Sequence, residues 1–392
     1  MALHDFHEFL LLSAVLNLHW GSGPAGIDNV ISVIVGGDSS LNPEHREVLR
    51  HVLRYLDEAY GQRRRRLGPL SVLHPLRSTA ILSRVLPDPP LLDLLSELLH
   101  DKLEDIREAG RDHEEWVALE SQFTALLKEI DDKNEYYLME RLSFLTRKDD
   151  ETYYSYVGRL LDRSHLTPEL VRVKLADRLD NCLDMRIALE DPMKDVDFFE
   201  EVFKLLFMRS YRGYKPAVPH PPVSPLNGAE RLYQLFKNAV LLSLLRQKRL
   251  SLDRAAVRLF EALTLASMRE AERIILHVSG YHMTDVQRVR LLLLDAMDYI
   301  QQGGLQCATL PGGRRLDGLL ISAFDHTSSD VRKAKLKRLH EDKDLMLEAA
   351  TAFLVVFQAF QTDPEYWLRG ITDRGLSPTP SSLDELPVVD PR

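Results

Sequence analysis

Apolar residues recur along most of the chain with the three-to-four-residue spacing of an amphipathic α-helix. The pattern is clearest over residues 43–59, where Asn42 and Pro43 also provide helix-start signals. The same spacing predicts further helices at 74–86, 90–105, 114–130, 133–146, 150–162, from 167 onward, and at 229–249, 252–278, 284–302 and 328–361. Only residues 29–35 fit a short strand, after a loop at 21–26. The sequence therefore predicts an all-α protein.

A dense proline cluster divides this helical pattern. Five prolines fall between Pro216 and Pro225, and proline interrupts a helix because it lacks a backbone N–H. The end of the chain mixes proline with serine and aspartate, a composition typical of a disordered tail. We predict an N-terminal extension at 1–42, a helical domain at 43–210, a Pro-rich linker at 211–228, a second helical domain at 229–369 and a disordered tail at 370–392.

Charge and cysteine content narrow the class of protein. The chain has 50 Lys and Arg residues against 59 Asp and Glu residues, whereas a domain that binds nucleic-acid backbones carries a basic excess. Its two cysteines, Cys182 and Cys307, have no metal-ligand spacing, which excludes a cysteine zinc site and favours a reducing, cytoplasmic setting. The apolar runs fall short of the ~18 residues that cross a bilayer. We therefore expect neither bulk nucleic acid nor a membrane among the partners.

One apolar helix pattern ends in a group of ionisable residues. His100-Asp101 is followed one turn later by Glu104-Asp105, so on a helix three carboxylates and an imidazole crowd one end. A divalent cation would resolve the repulsion between the carboxylates, because imidazole and carboxylate ligands together suit first-row transition metals. His74, earlier in the chain, and Asp177, later in it, are the candidates that complete the ligand set.

The order of these residues resembles a known signature. His74, then His100-Asp101, then a distant Asp177 is similar to the HD superfamily of metal-dependent phosphohydrolases, which has an all-helical fold. The Glu104-Asp105 pair and the run VKLADRLDN at 173–181 resemble, more narrowly, the hydrolase domain of the RelA/SpoT family. That family removes pyrophosphate from guanosine tetraphosphate and pentaphosphate. The resemblance therefore implies an HD hydrolase domain followed by the second helical domain.

The resemblance also implies roles for single residues. The metal ligands of the family correspond to His74, His100, Asp101 and Asp177, and its metal is Mn²⁺. Glu104 and Asp105 correspond to the acidic pair that activates and orients the attacking water. This assignment is chemically consistent, because a divalent ion lowers the pKa of its water and a nearby carboxylate takes the proton.

Substrate recognition is where the sequence departs from the family. The resemblance places substrate contacts at Arg65, Arg66, Lys174 and Asn181. Arginine suits such a site, because its planar guanidinium stacks on a base and makes forked bonds to phosphate. The loop at 67–70 and Asp180, where the family has histidine, differ from the family pattern. Two alternatives stay open: an HD phosphatase or phosphodiesterase for another small nucleotide, and a non-catalytic nucleotide-binding protein.

The second half of the chain carries no recognisable catalytic set. No nucleotide-synthetase motif follows residue 210. The resemblance therefore implies a guanosine 3′,5′-bis(diphosphate) 3′-pyrophosphohydrolase acting on a small nucleotide, and the missing motif implies that it has no synthetase activity. For residues 229–369 we predict regulation or homo-oligomerisation.

Overall fold

We describe a computed structural model of the chain, covering residues 3–36, 41–65, 68–186, 193–214, 227–301, 309–310, 314–315, 324, 328–368 and 371–376. Within these ranges the protein is all-α, which confirms the predicted fold class. The strands described are two antiparallel pairs of two residues each, β1 (Thr309–Leu310) with β2 (Arg314–Arg315) and β3 (Ile371–Thr372) with β4 (Gly375–Leu376).

The first half of the chain forms a succession of helices. They are α1 (Phe6–Trp20), α2 (Ile27–Val35), α3 (Pro43–Tyr60), α4 (Leu73–Ser83), α5 (Leu91–Leu98), α6 (Lys102–Asp105), α7 (His113–Leu127), α8 (Asp132–Leu145), α9 (Tyr153–Ser164), α10 (Glu169–Asp184) and α11 (Phe198–Phe207). A 3₁₀ turn at Gly23–Gly26 connects α1 to α2. The predicted cap of α3 is confirmed, because the Asn42 side chain accepts a hydrogen bond from the Glu44 backbone N–H at 3.0 Å.

The second half is also helical. Its helices are α12 (Gly228–Gln247), α13 (Arg254–His277), a π-helical turn (Val278–His282), α14 (Val286–Gln301), α15 (Ser329–Glu341) and α16 (Lys343–Thr362). The single helix predicted at 328–361 is interrupted at Asp342, whose side chain caps α16 by accepting from the Leu345 backbone N–H. By length and composition α16 could cross a membrane, but 67% of its most apolar window is buried inside the protein, as in a core helix.

Two sequence predictions are wrong in detail. Residues 29–35 form part of α2 rather than a strand, because Val30, Ile31 and Ile34 make one buried helical stripe. The predicted helix at 90–105 is not continuous, since the chain turns after α5 and restarts at α6. His100 and Asp101 therefore lie in the turn between two helices, not on a helix face.

Helix α4 lies at the centre of the first half. All of its residues are buried, and it packs against α1, α2, α5 and α10. The segment predicted as an N-terminal extension thus contributes two helices to this core. Helix α10 also packs against α12 and α13, so buried apolar residues from both halves form one continuous core. Residues 215–226 of the predicted linker and 377–392 of the predicted tail lie outside the described residues.

Candidate metal centre

The four predicted metal ligands converge on one point. His74 lies in the first turn of α4, His100 and Asp101 in the turn before α6, and Asp177 on α10. His74 Nε2 is 3.1 Å from His100 Nε2, 3.3 Å from Asp101 Oδ2 and 3.4 Å from Asp177 Oδ1. His100 Nε2 is 3.3 Å from Asp101 Oδ1 and 3.7 Å from Asp177 Oδ1. Three of the residues are buried, and Asp101 is half-buried at the open side.

Hydrogen bonds behind the imidazoles set the direction of their lone pairs. His100 Nδ1 lies 2.6 Å from the Glu97 carbonyl oxygen, which can only accept, so this nitrogen carries the proton. His74 Nδ1 lies 2.5 Å from Asp180 Oδ2, a carboxylate acceptor. Both Nε2 atoms are then left with lone pairs that face the centre. A backbone carbonyl or a carboxylate behind the ring is the usual support of a metal-binding histidine.

The donor set fits a divalent transition metal. When the imidazoles are neutral, two ring nitrogens and two carboxylate oxygens face inward as acceptors, an arrangement that repels itself unless a metal ion or protons lie between them. Atoms that share an ion at about 2.1 Å lie about 3.0 to 3.4 Å apart at octahedral or tetrahedral angles. The observed separations of 3.1 to 3.7 Å are close to these values. Among the residues described, His74, His100 and Asp101 already place one ligand atom each within 4.8 Å of the others.

The carboxylates of the cluster attract positive charge strongly. Burial lowers the pKa of His74, but nearby carboxylates, led by Asp180, raise it to about 10. Burial also lowers the pKa of His100, and Asp101 and Asp177 raise it well above its ordinary value. Protons and a metal ion therefore compete for the same nitrogens, so metal binding here releases protons and strengthens as pH rises.

A buried ion-pair network holds His74 from behind. Arg77 is fully buried and donates from Nε to Asp180 Oδ1 at 2.7 Å and from Nη2 to Asp184 Oδ1 at 2.5 Å. Its Nη1 donates to Ser13 Oγ at 3.2 Å, which ties α1 to the same group. With both its oxygens engaged, Asp180 has little freedom to move away from the His74 ring.

Sequence reasoning missed this network. Asp180 was interpreted as a departure from the family pattern, and Arg77 and Asp184 were not selected at all. Helical spacing was the available signal, because Arg77 follows His74 by three positions and Asp180 follows Asp177 by three. That signal only becomes specific once α4 is known to pack against α10.

Lys174 and Asn181 both hydrogen-bond to the carboxylate of Asp177, a predicted metal ligand. Lys174 is buried, and its Nζ donates to Asp177 Oδ2 at 2.7 Å while lying 5.1 Å from the Tyr156 ring centroid. Asn181 Nδ2 donates to the other oxygen, Asp177 Oδ1. Both residues were predicted to bind substrate, and the structure places them where they orient Asp177.

The predicted acidic pair occupies α6, directly after Asp101. Glu104 is half-buried, and its Oε1 accepts from the Arg147 backbone N–H at 2.6 Å, whereas Asp105 is exposed. Burial, followed by the negative charge of Asp101, raises the pKa of the Glu104 carboxyl. A carboxylate with a raised pKa is a better proton acceptor near neutral pH.

The arginine loop closes the site from the side of α3. Arg65 Nη1 donates to Asp184 Oδ2 at 2.8 Å, and its Nη2 donates to Asn181 Oδ1 at 3.1 Å. Arg63 Nη1 donates to the Asp105 backbone oxygen at 3.0 Å. The loop is thus fastened both to α10 and to α6. Arg66, the other predicted arginine, lies outside the described residues.

Glu97 is a further ionisable group that sequence reasoning overlooked. Its side chain is fully buried in α5, and its backbone oxygen is the acceptor that holds His100. Burial raises the pKa of Glu97 to about 8. A glutamate on an apolar helix gives no local sign that it points inward, so only the packing of α5 reveals it.

Comparison with family models, with curated proteins and with solved structures finds no significant match to this chain. The chemistry proposed below therefore rests on the side chains of the site and on the sequence motifs that contain them.

Proposed function

We propose that the protein is a metal-dependent hydrolase of nucleotide pyrophosphates, with guanosine 3′,5′-bis(diphosphate) as the substrate and no synthetase activity. One observation carries the proposal: the Nε2 atoms of His74 and His100 lie 3.1 Å apart and 3.3 to 3.7 Å from carboxylate oxygens of Asp101 and Asp177. The four side chains come from three separate segments of the sequence, so their convergence is a property of the fold.

Those four residues would hold the ion, with Mn²⁺ the metal we expect. When bound, a divalent cation lowers the pKa of a coordinated water and polarises a phosphoryl oxygen. Asp101 is the half-buried ligand, so substrate approaches from its side.

Glu104 and Asp105 manage the proton in the proposed reaction. The water oxygen bonds to the phosphorus of the 3′-pyrophosphate as the acidic pair removes a proton, and the bond from that phosphorus to the 3′ oxygen breaks. The proton passes to the 3′ oxygen, giving guanosine 5′-diphosphate and pyrophosphate. Glu104 suits this role, because the Arg147 N–H fixes one of its oxygens and its raised pKa favours proton uptake.

Arg65 and Asn181 form the nucleotide side of the proposed site. Their hydrogen bond, together with the contact of Arg65 to Asp184, holds the guanidinium beside α10. A fixed, planar guanidinium is suited to stacking on a purine base.

A second candidate is a phosphatase or phosphodiesterase of the same chemistry that acts on another small nucleotide. The observation that favours it is the loop beside Arg65, where Gly68-Pro69-Leu70 replaces the residues typical of the RelA/SpoT family. The metal ligands and the acidic pair would be used in the same way for either substrate.

Product analysis tests the proposal. The full-length Mn²⁺-loaded protein is incubated separately with guanosine tetraphosphate, guanosine triphosphate and a cyclic dinucleotide, and the products are separated by ion-exchange chromatography. We expect guanosine diphosphate and pyrophosphate from the first substrate alone. Turnover of another nucleotide instead would select the second candidate, and nucleotide binding without turnover of any of them would refute an enzymatic function.

A further inference from the structure

Cationic side chains gather where α10 meets α12. Arg178 follows Asp177 in the chain and is only 2% exposed. It donates from Nε to Asn238 Oδ1 at 2.9 Å and from Nη2 to Gln234 Oε1 at 2.7 Å. Both acceptors are neutral amides. The buried guanidinium charge therefore has no carboxylate partner in the part of the chain that the structure describes.

Lys237 lies beside Asn238 on α12 and is half-buried. Its Nζ is 4.9 Å from the Tyr233 ring centroid and 5.9 Å from the Tyr153 ring centroid. Among the described residues it makes no hydrogen bond and no ion pair. Burial, and then the charges of Arg178 and Lys174, lower the pKa of Lys237 well below its ordinary value.

These cations form a row that leads away from the metal centre over aromatic rings. Lys174 lies over Tyr156, whose ring centroid is 6.0 Å from that of Tyr153. Tyr153 contacts Lys237, and the next ring, Tyr233, also receives the Arg332 guanidinium at 5.5 Å. The carboxylate that Lys174 contacts is Asp177, which the metal would also use.

Positive charge held away from water is costly unless an opposite charge neutralises it. Aromatic faces offset this cost only in part, by about 0.5 to 2 kcal/mol for each cation. An anion with more than one negative charge would neutralise Lys237 and Arg178 together. We propose that Lys237, supported by the charge of Arg178, binds a phosphate group of the substrate on the α12 side of the metal centre.

This subsite gives α12 a part in substrate recognition. A nucleotide with two separate phosphate groups would place one at the metal and the other at Lys237. The assignment of that second group to the substrate rests on the proposed function, whereas binding of a phosphate-class anion at Lys237 does not.

The test compares Lys237→Met with Lys337→Met, an exposed lysine on α15, in the metal-free full-length protein. Inorganic pyrophosphate is the probe, measured by calorimetric titration and by its effect on Tm. We expect Lys237→Met to bind pyrophosphate at least about tenfold more weakly than the wild type, because it loses a charge-assisted contact. It should also have a higher Tm without anion, since methionine avoids the cost of desolvating the Lys237 amine. Lys337→Met should match the wild type in both measurements.

Several outcomes separate the subsite from the proposed function. Pyrophosphate affinity within about twofold of the wild type in Lys237→Met would overturn the subsite, as would a lower anion-free Tm, which a purely structural lysine predicts. If Lys237→Met binds pyrophosphate more weakly and the Mn²⁺-loaded wild type does not turn over guanosine tetraphosphate, the subsite is supported and the proposed function is refuted. Turnover by the wild type with KM unchanged in Lys237→Met would support the function and refute the use of the subsite by the substrate.

Discussion

Two buried arginines, one on each side of helix α10, have different kinds of hydrogen-bond acceptor. On the side that faces α4, Arg77 is enclosed by the carboxylates of Asp180 and Asp184 at 2.5 to 3.1 Å. On the side that faces α12, the described hydrogen-bond acceptors of Arg178 are the neutral oxygens of Asn238 and Gln234. A fully paired network fixes the geometry of side chains, as the proposed metal ligand His74 requires. A buried cation that no negative charge neutralises produces a positive potential around it, and this potential attracts an anionic ligand.

The largest expected effects come from substitutions at the candidate metal centre. Glu104→Gln removes a proton acceptor but no ligand, so we expect turnover of guanosine tetraphosphate to fall about 10²–10⁴-fold while Mn²⁺ stays bound. Asp101→Ala removes a ligand, so both Mn²⁺ and turnover should be lost. Metal analysis of the dialysed proteins and initial rates check this division. Equal loss of metal in the two variants would contradict it.

The contrast between the two arginines is tested by stability. Arg77→Met removes the buried guanidinium that two buried carboxylates share, so we expect the free energy of unfolding to fall by about 3–5 kcal/mol. Arg178→Met leaves only amide oxygens unsatisfied, which costs about 1–3 kcal/mol. Denaturant titration of the two metal-free variants measures the difference. An Arg178→Met cost as large as that of Arg77→Met would show that the two sides do not differ.

Local sequence predicts the helices and the candidate ligands better than it predicts their surroundings. The order of His74, His100-Asp101 and Asp177 is a motif, and the structure brings these residues together. The strand prediction at 29–35 failed because β-branched residues favour strands locally, whereas burial of one face against α4 stabilises a helix there.

The supporting network depends on which helices meet. Arg77 and Asp180 lie far apart in the chain, and their pairing follows from the packing of α4 on α10. The same holds for Lys237, which comes near Asp177 only because α12 packs on α10. No pattern within a single helix specifies these neighbours, so the proposed phosphate subsite could not be predicted from the sequence.

Glu97 differs from Asp180 and Asp184, because no cationic side chain among the described residues donates a hydrogen bond to its buried carboxyl. Its pKa is about 8 in the folded protein against 4.5 for an ordinary glutamate, so the folded state binds the proton more tightly. The stability it contributes is present below about pH 4.5 and is lost as pH rises through about 8. We expect Glu97→Gln to remove this loss and to gain on the order of 3 kcal/mol relative to the wild type at about pH 9.

Denaturant titrations at two pH values, in the presence of a chelator, measure this effect. Glu115→Gln is the matched control, since Glu115 is exposed on α7. Its pH dependence should follow the wild type. A Glu97→Gln variant that loses stability between about pH 5 and about pH 9 as much as the wild type would show that Glu97 is already ionised in the folded protein.

The smallest expected effect concerns the carboxylate of Asp180 that contacts His74 Nδ1. Asp180→Asn keeps the size of the side chain but removes the charge that faces His74 Nδ1 at 2.5 Å. We expect Mn²⁺ affinity to fall about 10- to 100-fold, because a carboxylate behind the imidazole raises its basicity and fixes its ring. Asp184→Asn is the control, since Asp184 holds Arg77 without contacting His74. If both variants weaken Mn²⁺ binding equally in calorimetric titrations, the network acts through Arg77 and overall packing, not through the Asp180 contact with the ligand.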